Sequence, residues 1–291
     1  MENKEGVQME KNELQRKFAR MQSHWISRTV AAVTAIGLTL LLATGPAAAQ
    51  NGQKPTVVLV HGGFSSAAVW DLVSAQLQRD GYPVIAPANP LRGPDTADSA
   101  YLASVLDTLS GPVILVGHSY GGFVITNAAA MTRNAQNVKA LVYVAAFIPD
   151  VGERGEDLTP SGSLIGQNTL QFRPCPVPYC PAGFELYIDS PADFQHVLAA
   201  DLSTQQTSIL AAAQRGVSAN ANTEPSEFAA WHTVPSFAIV PTADNAIGTA
   251  NELFMAQRAN AKTVQVQGAS HFVLMSQPKA VVSVIESAAG Q

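Results

Sequence analysis

The hydrophobic positions after residue 55 follow two alternating patterns. Continuous apolar runs that are rich in β-branched residues predict buried strands. The first four such runs are TVVLVHG (56–62), YPVIAPA (82–88), PVILVG (112–117) and VKALVYVAAF (138–147). Between these runs, apolar residues recur three and four positions apart, which is typical of a helix with one buried face. Strands joined by helices have to cross over and run parallel, so the pattern predicts a parallel sheet.

The helical segments of this first half fall between the predicted strands. The first carries Val69, Leu72, Val73 and Leu77, the second carries Leu102, Val105, Leu106 and Leu109, and a third is predicted from about 120 to 131. The third helix follows its strand directly, without the polar loop that separates the others. This junction therefore predicts a sharp turn from strand to helix.

The alternation breaks between residues 148 and 230. This stretch contains prolines, both cysteines and two helical stretches at about 191–202 and 204–215, but no strong strand. The alternation then resumes with PSFAIVP (235–241), a helix near 249–260, KTVQVQG (262–268) and a last helix through Val281, Val284, Ile285 and Ala288. We therefore expect an α/β fold: a six-stranded, mainly parallel, doubly wound sheet with a helical cap inserted after strand four, at about 150–230.

The first 49 residues have the pattern of an export signal. Six basic and four acidic side chains precede an uncharged stretch from 29 to 45, and small residues (GPAAAQ) follow it. A basic region, an apolar core and an A-x-A sequence are typical of a secretory signal that is removed. The alternative is a retained membrane anchor, for which the apolar core is short. We expect cleavage before Gln50 and an exported, periplasmic or secreted, protein.

Removal of this segment leaves one domain, residues 50–291, which is long enough to bury a core. It carries 11 basic and 18 acidic side chains, and this net negative charge does not favour nucleic acid as a partner. Oligomeric state has no signature in the sequence. Its two cysteines, Cys175 and Cys180, lie in CPVPYC. In an exported protein this pair predicts a small-loop disulfide, with two free thiols as the alternative; without a nearby histidine, it makes a poor zinc site.

The turn after the third strand reads GHSYG, from Gly117 to Gly121. A serine between two glycines, at a strand-to-helix junction, is typical of a nucleophile held in a strained turn. Ser119 is therefore the candidate nucleophile, and a glycine-rich turn with an idle serine is the alternative. The N-terminus of the following helix favours negative charge that develops beside the serine.

A serine nucleophile needs a base, and the base needs an orienting acid. In this architecture the chain order is serine, acid, histidine. His271 is the histidine that follows the last strand, in GASHFVLMSQP. Asp244 follows strand five, at the sheet edge where catalytic groups gather. Asp150, which follows strand four, is the rival acid.

The charge that develops on a substrate carbonyl needs backbone N–H donors. The residue after the nucleophile, Tyr120, supplies one of them. The second is expected from the loop after the first strand, where HGGFSS presents Gly63 or Phe64.

Five segments together resemble a known family: LVHGGF, ANPL, GPVILVGHSYGG, VKALVYVAAFIPD and GASHFVLMSQP. They are similar to the small α/β-hydrolases of the esterase and hydroxynitrile-lyase branch, over nearly all of residues 55–289 except the middle of the cap. The resemblance implies the α/β-hydrolase fold, a triad of Ser119, Asp244 and His271, and oxyanion donors at Gly63 and Tyr120. Substrate binds between cap and triad in this family, so Phe64, Phe147 and Trp231 are expected to line the pocket, with ordinary packing as the alternative.

One departure from the family bears on the reaction. Lyases of this branch carry a lysine directly after the catalytic histidine, and this chain has Phe272 there. We therefore expect a serine esterase acting on small or medium apolar carboxylic esters through an acyl-enzyme, with no metal or organic cofactor. A lactonase or a cofactor-free perhydrolase would use the same triad, and a non-catalytic ligand receptor is the alternative outside enzymes.

Overall fold

The computed structural model of this 291-residue chain describes residues 54–290 apart from positions 94, 167 and 178. In chain order, its strands are β1 (Thr56–Val60), β2 (Val84–Ile85), β3 (Val113–Ser119), β4 (Val138–Ala146), β5 (Gln171–Pro174), β6 (Phe184–Tyr187), β7 (Val217–Ser218), β8 (Ser236–Pro241) and β9 (Lys262–Val266). Six of them form one sheet in the order β2-β1-β3-β4-β8-β9, and all of its pairings are parallel. This arrangement confirms the predicted six-stranded sheet.

Helices follow the strands as the periodicity predicts. They are α1 (Asp71–Arg79), α2 (Asp95–Leu106), α3 (Tyr120–Met131), α4 (Pro191–Leu198), α5 (Thr204–Ala213), α6 (Thr249–Arg258), α7 (Val273–Ser276) and α8 (Pro278–Ala289). α1 packs against α8, and α2 packs against α3. In β4 every residue except Lys139 is buried, and because alternate side chains of a strand point to opposite faces, this sheet is covered on both sides.

Two helix boundaries differ from the sequence-based expectation. α2 begins at Asp95, well before its first predicted apolar position, because aspartates in a first helical turn interact favourably with the helix dipole. A short helix that was not predicted, α7, precedes the last helix, and Pro278 occupies the first turn of α8 after Gln277. Proline is compatible with that position because its missing N–H has no intrahelical partner there.

The inserted segment contains a sheet as well as helices. β5, β6 and β7 pair antiparallel in that order, alongside α4 and α5. The prediction of a cap without strands is therefore wrong. Every side chain of β5 is exposed, so this strand has no buried face and leaves no apolar run in the sequence.

The predicted signal segment, residues 1–49, lies outside the described residues. Among the residues that the structure does describe, no helix has both the length and the apolarity needed to cross a membrane.

Candidate active site

Ser119 ends β3 and immediately precedes α3 in a conformation that L-residues rarely adopt. Its backbone angles are φ 54° and ψ −124°. Such a conformation costs about 1–3 kcal/mol and persists only where the surrounding structure enforces it. The predicted sharp turn is therefore present, with the serine at its apex.

The two glycines of GHSYG are required by close backbone contacts. A Cβ atom on Gly117 would lie 2.5 Å from the carbonyl oxygen of Gly121, and one on Gly121 would lie 2.4 Å from the carbonyl oxygen of Val60. Both distances are shorter than any real Cβ contact. The glycines thus let β1, β3 and α3 approach closely enough to hold Ser119 in its turn.

His271 and Asp244 form a buried pair. Nδ1 of His271 lies 2.6 Å from Oδ2 of Asp244, and the exposed fractions of the two residues are 2% and 7%. The other carboxylate oxygen, Oδ1, accepts the backbone N–H groups of Ala246 and Ile247, at 2.6 and 2.9 Å. Burial by itself would raise the pKa of Asp244, but His271 and these hydrogen bonds hold it well below its usual range. Asp244 is therefore the carboxylate that can orient the imidazole.

His118 supports the backbone of His271. Its Nε2–H donates to the carbonyl oxygen of His271 at 3.1 Å, and the two ring centroids are 4.8 Å apart. Burial lowers the pKa of His118 well below its usual value, and it lowers the pKa of nearby His61 to about 4. Both imidazoles are consequently neutral at physiological pH.

Ser119 and His271 both line one cavity of about 110 Å³. The rest of its lining is mostly apolar and comes from both the main domain and the cap: Gly63, Phe64, Tyr120, Phe147, Thr159, Ile165, Leu170, Leu186, Leu198, Val217, Ala221, Asn222, Ala246 and Ile247. The cap sheet contributes Leu186 of β6 and Val217 of β7, which are paired across the two strands. The missed cap strands are thus part of the cavity wall.

The candidate oxyanion donors, Gly63 and Tyr120, both border this cavity. Tyr120 is the first residue of α3, where backbone N–H groups lack intrahelical partners. Phe64, the alternative to Gly63, also lines the cavity and has a positive φ of 53°. The loop after β1 and the start of α3 therefore border the same cavity as Ser119.

The Tyr120 side chain is held by two carboxyl groups that the sequence did not single out. Its hydroxyl lies 2.9 Å from Oδ1 of Asp95 and 3.0 Å from Oδ2 of Asp98, both on α2, and all three residues are buried. Burial raises the pKa of each aspartate to about 6. The spacing of three positions on a helix was the available signal, because it places both carboxyl groups on one face.

Two other candidates lie away from the cavity. Trp231, which was predicted to line the pocket, is not among the residues that line this cavity. Its indole N–H donates to the carbonyl of Pro149 at 2.7 Å, and its ring stacks on His232. The rival acid, Asp150, accepts from His232 at 3.0 Å instead of contacting His271. Both residues therefore contact His232 and are absent from the lining of the cavity.

Phe272 packs beside His271, with 6.3 Å between the ring centroids. Its ring packs against His118 at 5.4 Å and against Phe194 at 5.8 Å between centroids, and it is buried. At the position where lyases of the resembled branch carry a lysine, this chain thus has an apolar side chain in the core.

The two cysteines lie at the edge of the cap sheet as free, buried thiols. The Cys175, Cys180 and Glu185 ligand atoms lie within 4.8 Å of one another, and Arg92 is paired with Glu185. The disulfide is not formed in this structure and stays a prediction. The guanidinium already neutralises the carboxylate, so this cluster is a poor cation site.

The comparisons with known proteins agree with the fold. The alpha/beta hydrolase family model matches residues 57–284. Polyneuridine aldehyde esterase superposes with a TM-score of 0.68 at 19% identity, over 81% of this chain and 99% of that one. A pyrethroid hydrolase from Sphingobium faniae JZ-2 superposes with a TM-score of 0.63 at 22% identity, over 81% and 97%. At these identities the likeness shows the fold alone.

Curated relatives match a shorter part of the chain. A carbendazim hydrolyzing esterase from Nocardioides sp. (strain SG-4G) is 34% identical over 126 residues, which cover 40% of this chain and 51% of the relative. Methylesterase 2 of Arabidopsis thaliana is 32% identical over 114 residues, which cover 35% and 43%. The chain thus spans about half the length of the curated relatives it matches.

Proposed function

The chain belongs to the alpha/beta hydrolase family, and we propose that it is a serine esterase of small carboxylic esters. One observation carries the proposal: the imidazole of His271, fixed by Asp244 at 2.6 Å, borders the same apolar cavity as Ser119. A strained serine, an oriented base and a cavity for an acyl group are what acyl transfer requires. Relatives named as an esterase and as a methylesterase support the same reaction class.

In the proposed reaction, Oγ of Ser119 attacks the ester carbonyl while Nε2 of His271 takes its proton. Asp244 keeps the proton of His271 on Nδ1 and stabilises the imidazolium. The N–H groups of Gly63 and Tyr120 receive the negative charge of the tetrahedral intermediate. Collapse of that intermediate passes the proton from His271 to the leaving alcohol and leaves an acyl-enzyme, and water then releases the acid by the same steps in reverse order.

The cavity suggests the class of substrate. Its volume of about 110 Å³ is well below the roughly 300–1,000 Å³ of sites that enclose drug-sized ligands. The small volume favours a short acyl chain. The lining offers apolar side chains with few polar groups, so an uncharged acyl chain is favoured over a charged one. We therefore propose small apolar acyl groups, such as acetyl to butyryl, as the preferred substrates.

The test is a hydrolysis panel on p-nitrophenyl esters of increasing chain length, with a γ-lactone, a peracid assay and mandelonitrile alongside. We expect turnover of the short esters, loss of about 10⁶-fold in kcat for Ser119→Ala, and labelling of the wild type but not the variant by a fluorophosphonate. The matched control is Ser104→Ala, on the exposed side of α2.

Each other result selects a different function. Preference for the lactone or the peracid assay would replace ester hydrolysis with lactonase or perhydrolase activity. Cyanide release that depends on Ser119 would indicate a lyase despite Phe272. A wild type that neither turns over nor labels would contradict catalysis and favour a ligand receptor.

We also propose that the protein is exported after removal of residues 1–49. Support comes from the sequence of that segment alone, namely its basic region, uncharged core and A-x-A site. Mass spectrometry of the protein from an expressing bacterium is expected to find a chain that begins at Gln50 outside the cytoplasm. A full-length chain in the membrane fraction would contradict cleavage.

A further inference from the structure

Glu252 is a buried acid that the reaction scheme does not use. It lies on α6, the helix that follows the Asp244 loop, and only 2% of its surface is exposed. Within the part of the chain that the structure describes, neither of its carboxyl oxygens receives a hydrogen bond from an N–H or hydroxyl donor. An ionised carboxylate in such a place is strongly disfavoured, because it has lost its hydration and has no hydrogen bonds from the protein to replace it.

The neighbour of this carboxyl group is Asp244, whose side chain lies within hydrogen-bonding reach. Two carboxyl groups that share a buried site do not both ionise, because like charges repel strongly there. The available donors decide which of the two holds the proton. Asp244 accepts from Ala246, Ile247 and His271, whereas Glu252 has no such donor, so the negative charge belongs on Asp244 and the proton on Glu252.

The other charged groups near α6 are engaged elsewhere. On α6 itself, Arg258 pairs with Glu153, with Nη2 to Oε2 at 2.7 Å. On β9, Lys262 lies over the ring of Phe237 at 5.1 Å. Burial and the charge of Asp244 raise the pKa of Glu252 well above its usual value. Since these two cations of the described residues have other partners, protonation of Glu252 is the way to satisfy the site.

We propose that Glu252 is a positioning residue: it stays protonated in the folded protein and donates its O–H to the carboxylate of Asp244. This inference deepens the proposed function and rests on it, since Asp244 matters here as the partner of the base His271. Glu252 would then act in two ways. It fixes the orientation of the Asp244 carboxylate, and it keeps the charge beside His271 at a single negative unit.

These two effects predict different behaviour for two substitutions. Glu252→Gln keeps a neutral donor of the same shape. It is therefore expected to preserve the orientation of the Asp244 carboxylate and the single negative charge beside His271. Glu252→Leu keeps the volume but removes the donor. The Asp244 carboxylate then loses a neutral hydrogen-bond donor and attracts a positively charged imidazole more strongly.

The experiment measures kcat and KM for p-nitrophenyl butyrate from about pH 5 to about pH 9, where the acid limb of kcat/KM reports the base of the free enzyme. For Glu252→Leu we expect kcat to fall about 10- to 100-fold with KM changed less than about threefold, as for a misplaced catalytic group. The acid limb of this variant is expected at higher pH. For Glu252→Gln, kcat within about threefold of wild type and an unmoved acid limb are expected. The matched control is Glu227→Gln, an exposed position of the cap.

Two kinetic results would overturn the inference. If the acid limb moves to lower pH in Glu252→Gln, the wild-type side chain carries a negative charge that favours the imidazolium, and it is not protonated. If Glu252→Leu keeps the wild-type kcat and acid limb, the residue positions nothing. If the Glu252→Leu protein does not fold, the acid limb of Glu252→Gln still decides the question, because that variant preserves the volume and the hydrogen bond.

Two spectroscopic measurements separate this inference from the proposed function. Infrared difference spectra of wild type against Glu252→Gln are expected to contain the C=O stretch of a protonated carboxylic acid, which carboxylates lack. The low-field proton resonance of His271 Nδ1–H is expected to be unchanged in Glu252→Gln and shifted in Glu252→Leu. If both hold in a protein without esterase turnover, the proposed function fails and the positioning role stands. Turnover without the infrared band overturns the positioning role alone.

Discussion

The hydroxyl of Tyr120, the residue whose backbone N–H is proposed for the oxyanion hole, donates a hydrogen bond of 2.9 Å to Oδ1 of Asp95. The same hydroxyl lies 3.0 Å from Oδ2 of Asp98. A hydroxyl has one proton to give, so two ionised carboxylates cannot both be fully satisfied by it. Burial, which raises the pKa of both aspartates to about 6, lets one of them keep a proton in mildly acidic solution.

This pair makes stability depend on pH. Its carboxyl groups bind protons more tightly in the folded than in the unfolded chain, so the free energy of unfolding falls as pH rises from about 4 to about 6. A shift of about two pKa units corresponds to at most about 3 kcal/mol for one carboxyl. Asp98→Asn removes one titration, and its urea-denaturation free energies are expected to fall less over this range. Asp71→Asn, on the exposed side of α1, is the control; equal slopes in Asp98→Asn and wild type would contradict the prediction.

The strained backbone of Ser119 predicts a gain in stability when glycine replaces it. Glycine adopts a positive φ without steric cost, which recovers about 1–3 kcal/mol of strain against an entropic cost of about 0.5–1 kcal/mol. Ser119→Gly is therefore expected to be inactive and about 1 kcal/mol more stable by urea denaturation. Ser104→Gly, at a helical position of α2, is expected to lose about 0.5 kcal/mol. A similar loss at both positions would contradict strain at Ser119.

The hydrogen bond between His271 and Asp244 predicts which acid supports catalysis. Asp244→Asn favours the imidazole tautomer that cannot accept the serine proton, so kcat is expected to fall by about 10⁴. Asp150 accepts from His232 near the surface, and Asp150→Asn is expected to stay within about twofold of wild type. Steady-state kinetics on p-nitrophenyl butyrate checks both variants, and the reverse pattern would move the acid to the loop after β4.

The position of Leu186 in the cavity wall predicts that this residue limits the length of the acyl chain that the enzyme accepts. It lines the cavity opposite the main domain, and truncation to alanine enlarges the space that an acyl chain can fill. For Leu186→Ala, the ratio of kcat/KM for octanoate to that for butyrate is expected to rise about tenfold, the value of one or two buried methylene groups. Leu72→Ala, an exposed residue of α1, is expected to leave the ratio unchanged. An unchanged ratio in Leu186→Ala would place the acyl chain elsewhere.

The thiols of Cys175 and Cys180 predict a redox-dependent stability. Closing the loop between them is expected to add about 2 kcal/mol to the free energy of unfolding. Treatment with a mild oxidant should lower the mass by two hydrogens and raise the urea midpoint, and a reductant should reverse both changes. Cys175→Ser provides the control without a disulfide. Intact thiols after oxidation would contradict the disulfide and leave the esterase assignment untouched.

The central strands of the main sheet were predictable because they are buried on both faces. Burial leaves a continuous apolar run in β3 and in β4, and such a run survives as a signal in the sequence alone. α3 was predicted with its observed bounds, since the GHSYG turn marks where it begins. In contrast, β2 is only two residues long, much shorter than the apolar run 82–88 that predicted it. The length of such a short strand depends on its pairing with the neighbouring strand, which the sequence pattern does not contain.

The cap sheet was not predictable for the opposite reason. β5 exposes every side chain and ends at Pro174, and β7 has two residues. These short strands form because they pair with each other in the folded protein, and the intrinsic strand propensity of their residues does not predict that pairing.

In the site, Ser119, His271 and Asp244 followed from a motif and a chain order. Glu252 did not, because a glutamate in an amphipathic helix normally indicates the solvent-exposed face. Only the three-dimensional contact with Asp244 reveals that this one points inward.

The positions of Ser119, Asp244 and His271 along the chain have a consequence for how activity is acquired. They follow β3, β8 and β9, and β4 has to lie between β3 and β8 before the three side chains can meet. Contacts between such distant parts of a chain form late in folding, because the loop-closure cost has to be met first. During refolding, hydrolysis would therefore recover after the helical signal does. A chain emerging from the ribosome would have no working nucleophile until its last strand had been added to the sheet.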